Sequence, residues 1–551
     1  MAIDSTSSTQ DADSAKHEQP SSLGWARWLL PSVGDLTFVA MLGLLVFTNL
    51  SERLLGDAGT GWHIRTGQLL LATHAIPHVD PFSSSLPGHA WFAWEWLFDA
   101  IAGWLDSTAG LNGVVLFAAL IIATVFAWTF GLLLRRGTNI FVALALVLLA
   151  AAAATIHFLA RPHVLTWLLT VLWFWILESS FGSRRAASRK TWQLWLLPPL
   201  MVLWVNLHGG FLIGFALLGI YWICAAWQWV RLPSERFEDV LKKIRTGRSV
   251  QTLTFVALLS ALATFVNPYG WSLHLHVYRY LTNRFLMDHI DEFQSPNFHL
   301  VAEKCFAGLL LMTLIGLAVK KREVTRAEPS QGLVILFAVY AGLYASRNLP
   351  ISSLLLILVI GPWLSSWFLR LAERAGAMRP GRFSLFHFLQ RMQAVECSLR
   401  GHLWPIAAVV LACGIAANGG KLGATPLMDA HFSEKRFPAK AVTYLQEKDI
   451  QGPVLAPDYW GGYLIYRLYP GRRMVIDDRH DFYGEDFLKS YLKMVHVEPG
   501  WDEFIRNHDV RYIVVPKDSA LGSILAETGG WRVVYHDEVA ILYVRMGNDE
   551  H

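Results

Sequence analysis

The segment 54–67, LLGDAGTGWHIRTG, sets an aspartate, a glycine-rich turn, an indole, an imidazole and a guanidinium close together. It follows directly on the first long apolar run of the chain. A carboxylate at such a boundary, here Asp57, acts as a general base when a substrate hydroxyl comes within hydrogen-bond reach, and can also bind a divalent cation. Asp57 could equally cap a helix that starts near Gly59. His63 and Arg65 follow as supporting groups. Further on, AIPHVDPFSSS carries His78 and Asp80, and WFAWEWLFD carries Glu95. Asp80 is the candidate for a second carboxylate or metal ligand beside Asp57, although an Asp before Pro81 also starts turns. Charge close to hydrocarbon is costly, so ionisable groups kept there mark candidate sites.

Basic residues at the same boundary are few. Arg65 follows the first apolar run, Arg161 stands in FLARPH and Arg347 in ASRNLP. A guanidinium pairs with phosphate through two parallel donors, so these three suit a lipid-phosphate head group. Ordinary snorkelling to lipid is the simpler alternative for each. His208 in NLHGGF, Asn267 in FVNPYGWSLHLH and the acids of DHIDEFQSPNFH lie at neighbouring helix ends. The histidines form no H-E-x-x-H motif, and the chain has no Walker loop, dinucleotide fingerprint or G-x-S-x-G elbow. Nothing points to nucleic acid. A divalent cation (Mg or Mn) on Asp57 and Asp80 is the one cofactor the residues suggest.

Spanning helices must position these groups. Of 551 residues, 54% are apolar and only 16% charged, against roughly 25% charged in soluble proteins. The 24 tryptophans suit the membrane interface. Apolar runs at 33–51, 111–134, 139–157, 163–178, 193–207, 211–230, 250–267, 304–320, 331–346, 351–370 and 402–418 predict about eleven transmembrane helices. Positive charge supports the count. One set of alternate loops carries dense clusters, such as Arg184, Arg185, Arg189 and Lys190, or Lys242, Lys243, Arg245 and Arg248. The opposite loops are poor in Lys and Arg. This places the N-terminus in the cytoplasm and the C-terminus outside. Residues 1–32, polar and without an apolar core at the start, read as a disordered cytoplasmic tail. Residues 33–420 read as the transmembrane bundle, with a long first outer loop over 52–110. Within it, residues 91–106 have the pattern of an amphipathic helix lying along the outer surface.

Residues 430–551 change character: charge rises and apolar runs shorten. Short β-like runs at 453–456, 474–476, 512–515, 533–535 and 539–544 alternate with helical stretches, which predicts a small α/β domain with a largely parallel sheet. The last two runs are close enough for a hairpin through His536, Asp537 and Glu538. Asp477, Asp478, Arg479, His480 and Asp481 crowd the end of one predicted strand. That cluster could line a crevice or simply ion-pair the domain onto the bundle. The four cysteines lie outside this domain and form no C-x-x-C pair, so thiol-redox and zinc-thiolate roles are not supported.

The blocks GDAGTGWHIRTG, AIPHVDPFS, WFAWEWL, ARPH, NLHGGF, NPYG, DEFQSPNF, SRNLP, YWGGYLIYRLYP and DDRHDFYG, in this order, resemble membrane glycosyltransferases of the GT-C fold. More closely, they are similar to the bacterial set described as dolichyl-phosphate-mannose-protein-mannosyltransferase-like. The resemblance runs from about residue 36 onward. It implies an enzyme of the bacterial inner membrane that takes a sugar from a polyprenyl-phosphate donor to a lipid, polysaccharide or protein acceptor outside the cytoplasm. It also implies a catalytic base in the first outer loop, which falls on Asp57. Such enzymes often carry a second acid directly after the first, whereas Ala58 stands here. From the composition alone, a transporter or flippase and a non-catalytic membrane scaffold remain open.

Overall fold

The computed structural model describes residues 24–181, 191–233, 236–321, 328–377, 385–448 and 452–546. Most of the expected tail, together with Arg184, Arg185, Arg189, Lys190, Arg322, Arg326, Arg379 and Arg382, lies outside the described residues.

The chain is a multi-pass membrane protein. Among the described residues, seven helices are long and apolar enough to cross a bilayer, or eight if the bent pair Leu385–Ser398 and Leu403–Ala417 is one span. The three remaining stretches expected to span are also helical but fall short. Leu197–Leu207 has 11 residues and Pro329–Tyr344 has 16. Phe237–Ala263 has 27, but its first half carries Glu238, Asp239, Lys242, Lys243, Arg245 and Arg248.

The first span starts at a capping box. Ser32 Oγ accepts from Asp35 N–H at 3.0 Å, and Asp35 Oδ2 accepts from Ser32 N–H at 2.9 Å. The first loop then folds back as the helix Gly59–Thr73. The expected amphipathic helix begins at Trp96, not at Trp91, and runs into the next span as Trp96–Arg135. Gly110 divides the two parts, with φ 61° and ψ −159°. A side chain at that φ is strained, so glycine permits a sharp turn from one direction into the other.

The C-terminal segment forms a small α/β unit. A ribbon of β1 (Lys421–Leu422) and β2 (Thr425–Pro426) leads into it. The main sheet holds β3 (Val454–Leu455), β4 (Tyr512–Pro516), β5 (Trp531–His536) and β6 (Ala540–Arg545) in the order β3–β4–β6–β5. Only β3–β4 is parallel, whereas β4–β6 and β5–β6 are antiparallel. The expectation of a largely parallel sheet is therefore corrected. The β5–β6 hairpin inserts its second strand beside β4, which leaves one crossover and hence one parallel pair. The hairpin turn itself is as expected: Asp537 Oδ1 accepts from the N–H of Val539 and Ala540, both at 2.8 Å. Residue 474 makes single bridges to Ser83 and Val454 rather than a strand. The glycine-rich stretch before it is the helix Asp458–Leu468.

This last helix joins the unit to the bundle. It crosses Gly59–Thr73 where Gly61 faces Gly462, and a Cβ on Gly61 would collide with the Gly462 carbonyl. On its far side Gly59–Thr73 crosses Trp96–Arg135 at Gly67 and Gly103 with the same lack of space. The first loop is thus wedged between the bundle and the C-terminal unit.

Candidate functional site

Asp57 precedes the helix Gly59–Thr73. Its Oδ1 accepts from Gly59 N–H at 2.7 Å, and its Oδ2 pairs with Arg161 Nη1 at 2.8 Å. Ala58, not Asp57, is the N-cap of that helix; Asp57 makes the turn that leads into it with one oxygen and an ion pair with the other. Both side chains stay about a quarter exposed (28% and 25%), which leaves the pair open on one side. A second carboxylate closes on it. A Cβ added to Gly59 would stand 2.6 Å from Asp478 Oδ2, 2.9 Å from Asp57 Oδ1 and 3.2 Å from Arg161 Cζ. Three ionisable groups from three segments converge on its α-carbon, and a side chain there would push their tips apart. Burial, then the charge of Asp57, push the Asp478 carboxyl up to about 7 against the pull of Arg161. Burial alone would lower the pKa of Arg161, but Asp57 and then Asp478 outweigh it, so its guanidinium is held charged.

A second ion pair lies in the same field. Arg347 Nη1 is 3.2 Å from Glu292 Oε1, and the guanidinium sits 4.5 Å from the centre of the Phe293 ring. Burial would raise the Glu292 carboxyl, but Arg347 and then Arg161 hold it down at about 2. Two arginines therefore stand at this end of the bundle, each paired with a carboxylate.

Beneath these charges is a neutral group. His63 Nδ1 lies 2.6 Å from Asp99 Oδ1, and its Nε2 lies 3.7 Å from Glu95 Oε2. His208 Nε2 lies 3.6 Å from the other Glu95 oxygen. His208 Nδ1 accepts from Gly210 N–H at 3.0 Å and lies 2.8 Å from Thr166 Oγ1, so its Nε2 carries the proton in the neutral ring. Burial first, with nearby arginines second, lowers both histidines. Burial pushes Glu95 up to about 8. At neutral pH this is a protonated acid between two uncharged imidazoles.

The other expected site residues fall elsewhere. Asp80 is buried, and both its oxygens are in use. Oδ1 accepts from Arg479 Nη1 at 2.7 Å and from Phe82 N–H at 3.2 Å, and Oδ2 accepts from Ser83 N–H at 2.7 Å. It starts a turn and holds the C-terminal unit, and the carboxylate beside Asp57 is Asp478. Arg65 donates from Nε to the Tyr466 carbonyl at 2.8 Å and from Nη1 to Gln68 at 2.7 Å, and lies over the Tyr466 ring. It is spent on the domain junction. Asn267 closes its own turn, donating to the Thr264 carbonyl at 2.7 Å and accepting from Tyr269 N–H at 2.8 Å. It also lines, with Trp96, Leu97, Asn206, Val266 and Pro268, an apolar cavity of about 550 Å³. Glu95 precedes that cavity's Trp96, and His208 lies two residues past its Asn206.

The donor set at Asp57 does not suit a divalent cation. Asp57 spends one oxygen on a backbone N–H and the other on Arg161, so the positive charge beside it is already supplied. Among the described residues no group of three His, Cys, Asp or Glu side chains could hold a metal. Asp57 and Asp80 do not share a site. The residues present do not fit the expected cation.

No known family profile matches the sequence, and no curated protein matches it. Solved structures do, and they bear out the expected GT-C-like fold. It is similar to the oligosaccharyltransferase AglB of Archaeoglobus fulgidus in complex with an inhibitory peptide and a dolichol-phosphate, with a TM-score of 0.54 at 13% identity over 94% of this chain and 74% of that one. An Archaeoglobus fulgidus oligosaccharyltransferase tethered to an acceptor peptide containing the NVT sequon gives a TM-score of 0.53 at 14% identity over 94% and 73%. Its complex with Zn and sulfate gives 0.52 at 13% identity over 93% and 72%. At such identities the likeness is one of fold.

Proposed function

We propose that this protein is a membrane glycosyltransferase that moves a sugar from a polyprenyl-phosphate donor to an acceptor hydroxyl outside the cytoplasm. The observation that carries the reading is the convergence of Asp57, Arg161 and Asp478 at Gly59, on a fold shared with an oligosaccharyltransferase solved with dolichol-phosphate. Two charged arginines, Arg161 and Arg347, supply the field a lipid phosphate needs. The carboxylates supply a base for the acceptor, and their position at the ends of apolar helices suits a reaction at the level of lipid head groups. The apolar cavity lined by Trp96, Leu97 and Val266 offers a path for an isoprenoid chain. The positive charge of the alternate loops supports a reading in which this end of the bundle lies outside the cytoplasm and the N-terminus within it; a bacterial inner membrane is part of the same proposal.

The reaction is a displacement at the anomeric carbon. The acceptor oxygen forms the new bond, its proton passes to a carboxylate, and polyprenyl phosphate leaves with the bonding electrons. Arg161 and Arg347 stabilise the negative charge that grows on the leaving phosphate. Membranes carrying the wild-type chain or Asp57→Asn, given radiolabelled undecaprenyl-phosphate hexoses, test the reading. Transfer by the wild type and its collapse in the variant are expected. A wild-type rate in Asp57→Asn rejects the role of the Asp57 centre.

A further inference from the structure

The Asp57 centre holds two carboxylates, and they are not equivalent. Asp57 is engaged at both oxygens: one takes the Gly59 N–H and the other takes Arg161. Asp478 is not. Its Oδ1 is buried without a hydrogen-bond partner among the described residues, and its Oδ2 has a long contact of 3.4 Å from Trp62 Nε1. Its neighbours in the chain face the other way and are locked. Arg479 donates from Nε to Asp477 Oδ1 and from Nη2 to Asp477 Oδ2, both at 2.7 Å, and from Nη1 to Asp80 at 2.7 Å. Phe82, Trp91 and Phe482 surround that guanidinium at 4.7–5.1 Å. Tyr483 donates to Asp477 Oδ2 at 2.9 Å. A rigid buried clamp on both sides therefore aims one partly exposed, under-bonded carboxylate at Gly59 and Arg161. An unsatisfied buried acceptor is expensive, so its retention asks for a partner that arrives later.

We propose that Asp478, carried by the C-terminal unit, is the catalytic base, and that Asp57 instead holds Arg161 in place. This deepens the glycosyl-transfer reading and rests on it. In the step, the acceptor O–H proton moves to Asp478, the acceptor oxygen bonds to the anomeric carbon, and the sugar–phosphate C–O bond breaks toward the lipid phosphate. The groups that set the charge on Asp478 are Asp57 and Arg161 from the bundle side and Asp477 and His480 from its own segment. Ionised Asp57 raises the basicity of Asp478 while Arg161 keeps the pair from repelling apart, a division of labour typical of close acid pairs. The bundle without its C-terminal unit then lacks the base.

The test uses full-length protein in membranes with radiolabelled undecaprenyl-phosphate hexoses, and measures binding of undecaprenyl phosphate on the same samples. Asp478→Asn is expected to lower transfer by about 10²-fold or more, to keep lipid-phosphate binding, and to lose the acid limb of the pH–rate profile. A wild-type rate in Asp478→Asn overturns the assignment and leaves glycosyl transfer standing. A wild-type chain that transfers none of the hexoses overturns glycosyl transfer and the base with it. Should Asp478→Asn fail to accumulate, Asp478→Glu decides. A displaced base is expected to lose about 10-fold or more, and transfer at the full rate overturns the role.

Discussion

Gly61 of the first loop and Gly462 of the C-terminal unit meet backbone to backbone. A Cβ on Gly61 would collide with the Gly462 carbonyl, and a Cβ on Gly462 with the carbonyl of Ala58. This crossing sets the distance between Asp57, one turn before Gly61, and Asp478, which would lie 3.0 Å from a Cβ on Gly462. Gly61→Ala or Gly462→Ala is expected to cost about 1–3 kcal/mol through overpacking. The C-terminal unit would sit further from the bundle, so activity per folded molecule falls as well. Limited proteolysis and thermal unfolding in detergent measure the first effect, and sugar transfer the second. Wild-type behaviour on both counts would reject the crossing as a determinant.

Asp80 and Arg479 separate stability from chemistry. Their pair is buried, with Asp80 4% and Arg479 3% exposed. Removing one partner leaves an uncompensated buried charge, which costs about 3–5 kcal/mol. Arg479→Ala is expected to be the worse lesion, because it strands both Asp80 and Asp477. Arg479→Lys does not restore it, since an ammonium cannot bridge two carboxylates in a fixed fork. Thermal unfolding reads the loss. For Asp80→Asn, the rate corrected for the folded fraction should fall far less than for Asp57→Asn, and an equal collapse at full stability would return Asp80 to the chemistry.

Glu95 gives a pH signature. Its carboxyl is raised to about 8 by burial, so the folded state favours the protonated form. The sign follows from linkage: stability is fullest below the unfolded carboxylate range and declines as pH rises toward 8, because ionisation is easier in the unfolded chain. Glu95→Gln, which imitates the neutral acid, is expected to flatten this decline and to unfold later than wild type at pH 8. An unchanged pH dependence of unfolding in Glu95→Gln would show that Glu95 is ionised in the fold.

Much of the site was legible as residue type and position. Asp57, Arg161, Glu95 and His208 are polar groups at the ends of apolar runs, and cost alone singles them out. Asp80 was weighed beside Asp57 because the two are close in sequence, which does not fix what each one bonds. The chain instead turns at Asp80 and spends it on Arg479. Asp478 was visible in DDRHD as one acid among several. Nothing local distinguishes it from Asp477 and Asp481, because only the buried clamp decides which of them faces outward. The sheet was misjudged for a related reason: strand direction depends on where the hairpin inserts, not on the strands' own residues.

The amino-acid sequence by itself determined that this is a multi-pass membrane protein with an appended α/β unit, since long apolar runs must be buried in lipid and charged segments cannot be. It also determined that polar chemistry gathers at one end of the helices. Tertiary structure decided the pairing. Asp57 and Asp478 are separated by most of the chain and become neighbours only because glycines at 59, 61 and 462 let two helices and an ion pair occupy the same few ångströms. Contacts of that kind depend on the space left between backbones, which no single segment records.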